Sequence, residues 1–368
     1  MIRPGISYRV ADYNDSKYVN AATKEGLWSG DATSVTQAIS LRIEYKMMDD
    51  KLRLIASGRL DKFNYPAKIY FPYQLAATYK INENNQVRIS GGSAYRTPLL
   101  IDLYSNLDLT GPYPLTSPTQ TYLIQIRGNK NIRLLNSNML SAGYRAKIDD
   151  KVAVDIEAFY SVSRDFSNVV FESGKFDSTA PVAFSGLADF TNITLQVQRY
   201  GSTISVDYYM NKWQFKPYIT VQQSNLLDYS PYTNSPLAPA LPSNNNNPAV
   251  YNLYSNKGTK IGHKATPSYY GGAFINYRHN QKLNINLNAY FYGSQTQLES
   301  NNLTYKDGMR GVENIKPKLI LNGVVSYDIL KKLNIFANFR NILNDQSVEF
   351  YKGDAPAFMV LGGAHFEF

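Results

Sequence analysis

The chain has 368 residues, 43% of them hydrophobic and 18% charged, with a formal net charge of +9. It contains no cysteine, which excludes disulfides, zinc–thiolate centres and cysteine nucleophiles. No run reaches the roughly 18 apolar residues of a transmembrane helix, a test blind to membrane strands, where only every second residue meets lipid.

Apolar and polar residues alternate from the start, in Gly5-Ile6-Ser7-Tyr8-Arg9-Val10. No signal-peptide pattern precedes this run. An exported protein needs one, so Met1 is expected to lie inside a longer natural chain or at the head of a mature form. Further along, Ile69, Phe71, Tyr73, Leu75, Ala77, Tyr79 and Ile81 share one face of a predicted strand, and Tyr70, Pro72, Gln74, Ala76, Thr78 and Lys80 the other. Val152, Val154, Ile156, Ala158 and Tyr160 oppose Asp155, Glu157 and Ser161. Leu283, Ile285, Leu287, Ala289 and Phe291 oppose Asn284, Asn286 and Asn288. Leu319, Leu321, Val325 and Tyr327 oppose Asn322, Ser326 and Asp328. These runs match the roughly 9–11 residues of a strand that crosses a bilayer at a tilt. Globular strands average only about 5–6. A soluble sandwich would bury the apolar face against a second sheet. Three asparagines on one face argue instead for a wet interior.

The connections alternate between tight and long. Tight turns are predicted near Asp49-Asp50, Asn82-Glu83-Asn84-Asn85, Asp149-Asp150, Asn211-Lys212, Asn280-Gln281 and Lys331-Lys332. Long polar loops are predicted at Asn14 to Asp31, Leu99 to Asn136, Ser173 to Phe190, Asn225 to Ala265 and Glu299 to Lys316, with shorter ones near Asn64 and Asp354. Short turns on one side and long loops on the other describe a bacterial outer-membrane barrel of about 14 strands. The fold class is therefore all-β, a transmembrane antiparallel up-and-down β-barrel, with residues 1–368 as a single region. Thirty tyrosines suit its wet–dry boundaries. At the C-terminus, Phe358, Val360, Gly362, Ala364, Phe366 and Phe368 form an apolar face that ends on the last residue. This strand resembles the recognition strand read by the barrel assembly machinery, with Phe366 and Phe368 as the assembly signal.

The three histidines fall at separate places. His279 lies at a predicted turn, His263 beside Lys260 and Lys264, and His365 on the inward face of the last strand. Nothing brings two of them together for catalysis. A barrel hydrolase using Ser and His is the enzymatic alternative; the reading adopted is no enzyme, no metal and no cofactor. Asp155 and Glu157 are expected to pair with lumenal Arg or Lys. Dispersed basic residues disfavour nucleic acid as a partner. The candidate ligand-binding residues are Tyr104, Tyr113, Tyr122, Tyr229, Tyr232, Tyr251 and Tyr254 on two long loops, and Arg96, Arg127 and Arg133 at the feet of the first. Tyrosine gives rigid contact area, and arginine pairs with carboxylate or phosphate. A bulky, partly anionic small molecule fits this set. The competing reading is a tyrosine girdle at the membrane interface, with arginines on lipopolysaccharide.

Several segments resemble TonB-dependent receptors. Val87-Arg88-Ile89-Ser90-Gly91-Gly92-Ser93-Ala94-Tyr95-Arg96-Thr97-Pro98 resembles that family's strand ending in aromatic–Arg–x–Pro before a long extracellular loop. Gly128-Asn129-Lys130-Asn131-Ile132 resembles its G-N-P-x-L stretch, with Lys130 in place of Pro and Leu134-Leu135 in place of the following Pro-Glu. Ala158-Phe159-Tyr160 followed by Asp165 is similar to the next hairpin arm, and Asn341-Ile342-Leu343-Asn344 to the N-L-[FL]-[ND] motif of the penultimate strand. Ala355-Pro356-Ala357 stands where the family has Gly-Arg.

The resemblance implies a barrel of about 22 strands closed by an N-terminal plug. This chain would supply the last strands, with the plug absent from it. The implied function is TonB-dependent active uptake of a scarce, bulky solute, such as a ferric siderophore, across the outer membrane. The implied partners are outer-membrane lipid and lipopolysaccharide, the barrel assembly machinery, TonB through the missing plug, and a small-molecule ligand. The alternative is a passive porin-like channel or a stand-alone binding barrel.

Overall fold

The computed structural model describes residues 1–18, 31–112, 120–177, 179–228, 260–300, 309–349 and 355–367. In chain order, β1 (Ile2–Asn14), β2 (Asp31–Met47) and β3 (Leu52–Phe63) are followed by the two-residue β4 (Ile69–Tyr70), then β5 (Tyr73–Lys80) and β6 (Asn85–Arg96). A short helix α1 (Leu100–Tyr104) and the hairpin β7 (Asn106–Pro112) and β8 (Thr121–Arg127) precede β9 (Leu135–Lys147) and β10 (Val152–Arg164). A second hairpin, β11 (Ser167–Phe176) and β12 (Val182–Asn192), precedes β13 (Gln196–Met210) and β14 (Trp213–Leu227). Then come β15 (Lys260–Gly262), β16 (Tyr269–Arg278), β17 (Leu283–Tyr292), β18 (Gln295–Ser300), β19 (Met309–Ile315), β20 (Lys318–Leu330), β21 (Leu333–Arg340) and β22 (Met359–Phe366).

Fourteen of these strands form one up-and-down sheet in the order β1-β2-β3-β5-β6-β9-β10-β13-β14-β16-β17-β20-β21-β22. Every ladder along this path is antiparallel. The six connections at one end are the predicted tight turns. Their backbone is tight enough to put Met48, Asp49, Asp50 and Asn211 at positive φ, a region that Asn and Asp tolerate better than most residues. All the long connections emerge at the other end. The predicted strand Ile69–Ile81 is broken: β4 and β5 both pair with β3, but Phe71 and Pro72 lie outside the ladder. Proline has no N–H to donate there.

The register sorts the residues into two faces. On one face, Ile39, Leu60, Leu75, Ile89, Leu140, Ile156, Ile204 and Ile219 run across successive strands from β2 to β14, and Leu319 continues the band on β20, all of them exposed. So broad a band of bare hydrophobic surface is incompatible with water and fits hydrocarbon. Near the tight turns this face ends in aromatics: Tyr45, Tyr79, Tyr144, Tyr208, Trp213, Tyr277 and Tyr327. Trp213 packs against Tyr277 with ring centroids 4.2 Å apart. Such a girdle marks a lipid–water interface. The other face carries the charges and amides.

Most of the buried apolar side chains among the described residues lie in the loops. Strands β11, β12, β8 and β7 form a separate sheet in that order, and β12 pairs with β8 in parallel. Two loops read from sequence as polar connections are thus joined into one cap. Its core is Ala183, Phe184 and Ala188, with Tyr122, Ile124, Ile126 and Val169 against them. Strands β18 and β19 form a further antiparallel pair within the predicted loop at Glu299 to Lys316.

Candidate functional site

The loop end of the sheet is the candidate site, because there the chain invests side-chain structure beyond what a wall needs. Residue Arg96 ends β6 and is exposed. From there α1 begins, its first turn held by the Leu99 N–H donating to Asp102 Oδ2 at 3.1 Å. Asp102 is buried, and Ser167 Oγ on β11 donates to the same carboxylate oxygen at 3.0 Å. Tyr104, the last residue of α1, donates its hydroxyl to Thr33 O at 2.8 Å. Burial pushes its phenol pKa up. Lys130 Nζ sits 4.7 Å from the Tyr65 ring and 4.8 Å from the Tyr104 ring. This cation–π pair ties the first long loop to the β3–β4 connection.

The other candidates are placed as follows. Tyr122 lies on β8 in the cap core. Arg127 closes β8 and pairs with Asp108 of β7 at 2.6 Å. Arg133 pairs with Asp165 at 2.8 Å. Asn192 clamps the same corner, accepting from the Arg133 N–H at 2.8 Å and donating to Arg133 O at 3.1 Å and Asp165 O at 3.0 Å. The structure brings Tyr104, Tyr122, Arg127 and Arg133 into one cap and its base, but commits them to protein neighbours, Tyr104 to Thr33 of β2 and the others to residues of the cap and its base. Tyr113, Tyr229, Tyr232, Tyr251 and Tyr254 lie outside the described residues, as does Phe368. Phe366, the other half of the assembly signal, closes β22 opposite Leu333 and is exposed on the apolar face. Sequence reasoning missed Asp102, Lys130 and Asn192 as fasteners of the cap. For Asp102 a signal existed, since an acidic residue in a first helical turn caps free N–H groups; Asn192 carried none.

Below the cap, the polar face carries ion pairs. Arg88 on β6 reaches over β9 to Asp155 through two bonds of 2.8 Å, and to Glu157 at 2.6 Å. It passes over Gly143, where a Cβ would come within 2.5 Å of the guanidinium carbon. This is the lumenal pairing expected for Asp155 and Glu157. Lys216 pairs with Asp207 at 2.9 Å. At the mouth, Lys318 is fully buried and pairs with Glu349 at 2.9 Å. Among the described residues, no group of three or more His, Asp or Glu could hold a metal ion.

The family model for the TonB dependent receptor-like β-barrel matches residues 3–342. The chain belongs to the TonB-dependent receptor family. Its fold is also that of solved receptors in this family's mould. The siderophore receptor PirA from Acinetobacter baumannii is 11% identical, with a TM-score of 0.70, covering 100% of this chain and 52% of that one. A variant of the ferric enterobactin receptor PfeA from Pseudomonas aeruginosa is 13% identical, with a TM-score of 0.71, covering 100% and 51%. PirA from Pseudomonas aeruginosa is 12% identical, with a TM-score of 0.60, covering 100% and 53%. This chain thus spans about half the length of the solved structures it matches. No curated protein sequence matches it.

As a TonB-dependent receptor barrel, the sheet lies in the bacterial outer membrane. Its apolar face meets lipid and its polar face lines the lumen. The motifs of the family resemblance now have physical roles. Gly128 packs so closely that a Cβ would meet the Leu103 carbonyl carbon at 2.5 Å. Asn341 is buried at positive φ and donates to Asp345 O at 3.0 Å and Pro356 O at 2.7 Å. Asn344 Oδ1 accepts from the Phe358 N–H at 2.9 Å, which fixes the entry to β22.

Proposed function

We propose that this chain supplies barrel wall and capture loops for active uptake of a scarce, bulky, partly anionic solute of the ferric-siderophore kind. The observation that carries this reading is the cap. Two loops from different hairpins are joined by a parallel β8–β12 ladder over an apolar core of their own. A general diffusion pore has no need of so much built structure at its mouth. The names of the solved relatives, siderophore and ferric enterobactin receptors, support the same class of solute. Arg96, exposed at the foot of the cap and without an ion pair among the described residues, is the free cation of the candidate set. Arg127 and Arg133 then act by shaping the cap. The plug, TonB contact, lipopolysaccharide and barrel assembly machinery belong to this proposal as partners of the whole protein. Catalysis has no place in it.

The test is binding of a ferric siderophore to the full-length protein in detergent, with lipopolysaccharide removed. Shortening the loops at 99–136 and 225–265 should abolish binding and leave the heat-resistant barrel band on a gel. Affinity that survives both deletions would place capture elsewhere.

A further inference from the structure

Glycines on the lipid face of the wall leave hollows, and the chain fills several of them with its own rings. A Cβ at Gly58 would come within 2.9 Å of the Phe71 ring, at Gly271 within 2.8 Å of the Phe291 ring, and at Gly293 within 2.8 Å of the Tyr269 ring. An aromatic ring laid over a strand glycine restores the packing that the missing side chain forfeits. Gly91, in the middle of β6, lies on the same face, opposite Leu75 and Leu140. No ring covers it. A Cβ there would meet nothing closer than Met139 O at 3.4 Å and Leu140 Cδ1 at 3.5 Å. Its neighbour Gly92 differs, because a Cβ there would reach Tyr73 O at 2.4 Å. Backbone packing thus requires glycine at 92 but not at 91.

The hollow over Gly91 opens into a groove of about 850 Å³, walled by Leu75, Ile89, Leu140 and Tyr160 among others, with Arg164 and Gln196 at its loop end. The volume is within the usual range for small-molecule sites, roughly 300–1,000 Å³. Tyr160 and its cross-strand partner Tyr200 mark the upper edge of the hydrocarbon. The Tyr160 hydroxyl accepts from Gln198 Nε2 at 2.9 Å, and the Tyr200 hydroxyl donates to Gln223 Oε1 at 3.1 Å. Arg164 stands four residues further along β10 on the same face, roughly 13 Å nearer the loops at about 3.3 Å per residue. Its side chain is exposed and has no hydrogen bond or ion pair among the described residues. The groove is therefore apolar below the tyrosines and cationic above them, which is the polarity profile of a lipid. Its walls come from β5, β6, β9, β10 and β13, away from both edges of the sheet.

We propose that this groove is a fixed lipid site: an acyl chain lies over Gly91, and a phosphate of the same molecule meets Arg164. The long loops of an outer-membrane barrel are extracellular, so the occupant comes from the outer leaflet. Its chemistry is that of lipid A, a phosphorylated and acylated glucosamine disaccharide. Guanidinium groups match phosphate oxygens. The other hollows are closed by the chain's own rings, and this one is left for a chain from outside. The site rests on lipopolysaccharide being a partner of the whole protein, and on no step of uptake.

The test is native mass spectrometry of the full-length protein in mild detergent, loaded with lipid A, dephosphorylated lipid A or phosphatidylglycerol. The wild type should hold a single lipid A, and should hold the dephosphorylated form about tenfold more weakly, the scale of a lost charged hydrogen bond. Gly91→Leu fills the hollow and should lose both forms. Arg164→Gln should hold the two forms equally weakly. Ala273→Leu enlarges a lipid-facing side chain on β16, outside the groove, and should behave as the wild type. If Gly91→Leu fails to give the heat-resistant band, the Arg164→Gln comparison decides alone. Any of five results overturns the site: equal retention of the two lipid A forms by the wild type, unchanged retention in Gly91→Leu, an equal loss in Ala273→Leu, phosphatidylglycerol held as tightly as lipid A, or a lipid-free dimer, which would give the groove to a second copy. No siderophore enters the assay. A protein that holds lipid A here and takes up no siderophore would therefore sink the uptake reading and leave this site standing.

Discussion

Leu287 and Asn286 are chain neighbours in the middle of β17 whose side chains meet different media. Leu287 lies opposite Ile275 and Gly323 on the lipid face, and Asn286 opposite Asn276 and Val324 on the lumen face. Leu287→Arg should lose about 2–4 kcal/mol in a lipid refolding titration, the cost of a cation near the bilayer midplane. Asn286→Arg should lose far less; equal losses would mean that the register is wrong. At this scale the sequence was informative about direction and poor about partners. Alternation told that Asp155 and Glu157 face inward, yet could not name Arg88, which lies two strands away and needs the gap above Gly143. Lys318 read as a polar residue at a strand start; its full burial against Glu349 depends on where the β21–β22 loop folds back.

The elements divide into wall and cap, and they should respond separately to damage. Phe184 is buried in the cap core, remote in sequence from the wall strands it serves. Phe184→Ala should cost about 3–5 kcal/mol of local packing. The expected outcome is rapid proteolysis within 121–192, with the heat-resistant barrel band unchanged; loss of that band would show that cap and wall fold as one unit. The β15–β16 connection offers a pH test. The His263 N–H donates to Ser224 O at 2.9 Å, and burial holds its imidazole pKa below the ordinary value. A depressed histidine is neutral in the folded state, so its contribution is present above the unfolded value near 6.5 and is lost as pH falls through the folded one. The protection of amides in 260–268, after correction for the intrinsic exchange rate, should therefore fall on acidification below the unfolded value, and His263→Gln should flatten that response. The wall strands were legible because each carries its period of two in its own residues. The cap was not. Segments such as Thr121–Arg127 are short, and the β8–β12 ladder joins residues some sixty positions apart, which no local pattern reports.

For the whole molecule, the number of wall strands and the alternation of tight and long connections followed from turn chemistry at places such as Asp149-Asp150 and Asn211-Lys212. What remained hidden was how the sheet ends. Its edge strands are β1 and β22, and no ladder joins them among the described residues. An open edge cannot stand in hydrocarbon, where each unpaired backbone group costs several kcal/mol. The edges must therefore meet each other or be met by further strands. The first case suits a stand-alone channel and the second a larger, plugged receptor, the reading proposed above. Uptake of a ferric siderophore by cells that make the full-length protein, measured with and without functional TonB, separates the two most directly. Saturable uptake that disappears without TonB is the predicted result; uptake that continues undiminished without it would contradict the account and make this barrel a passive channel.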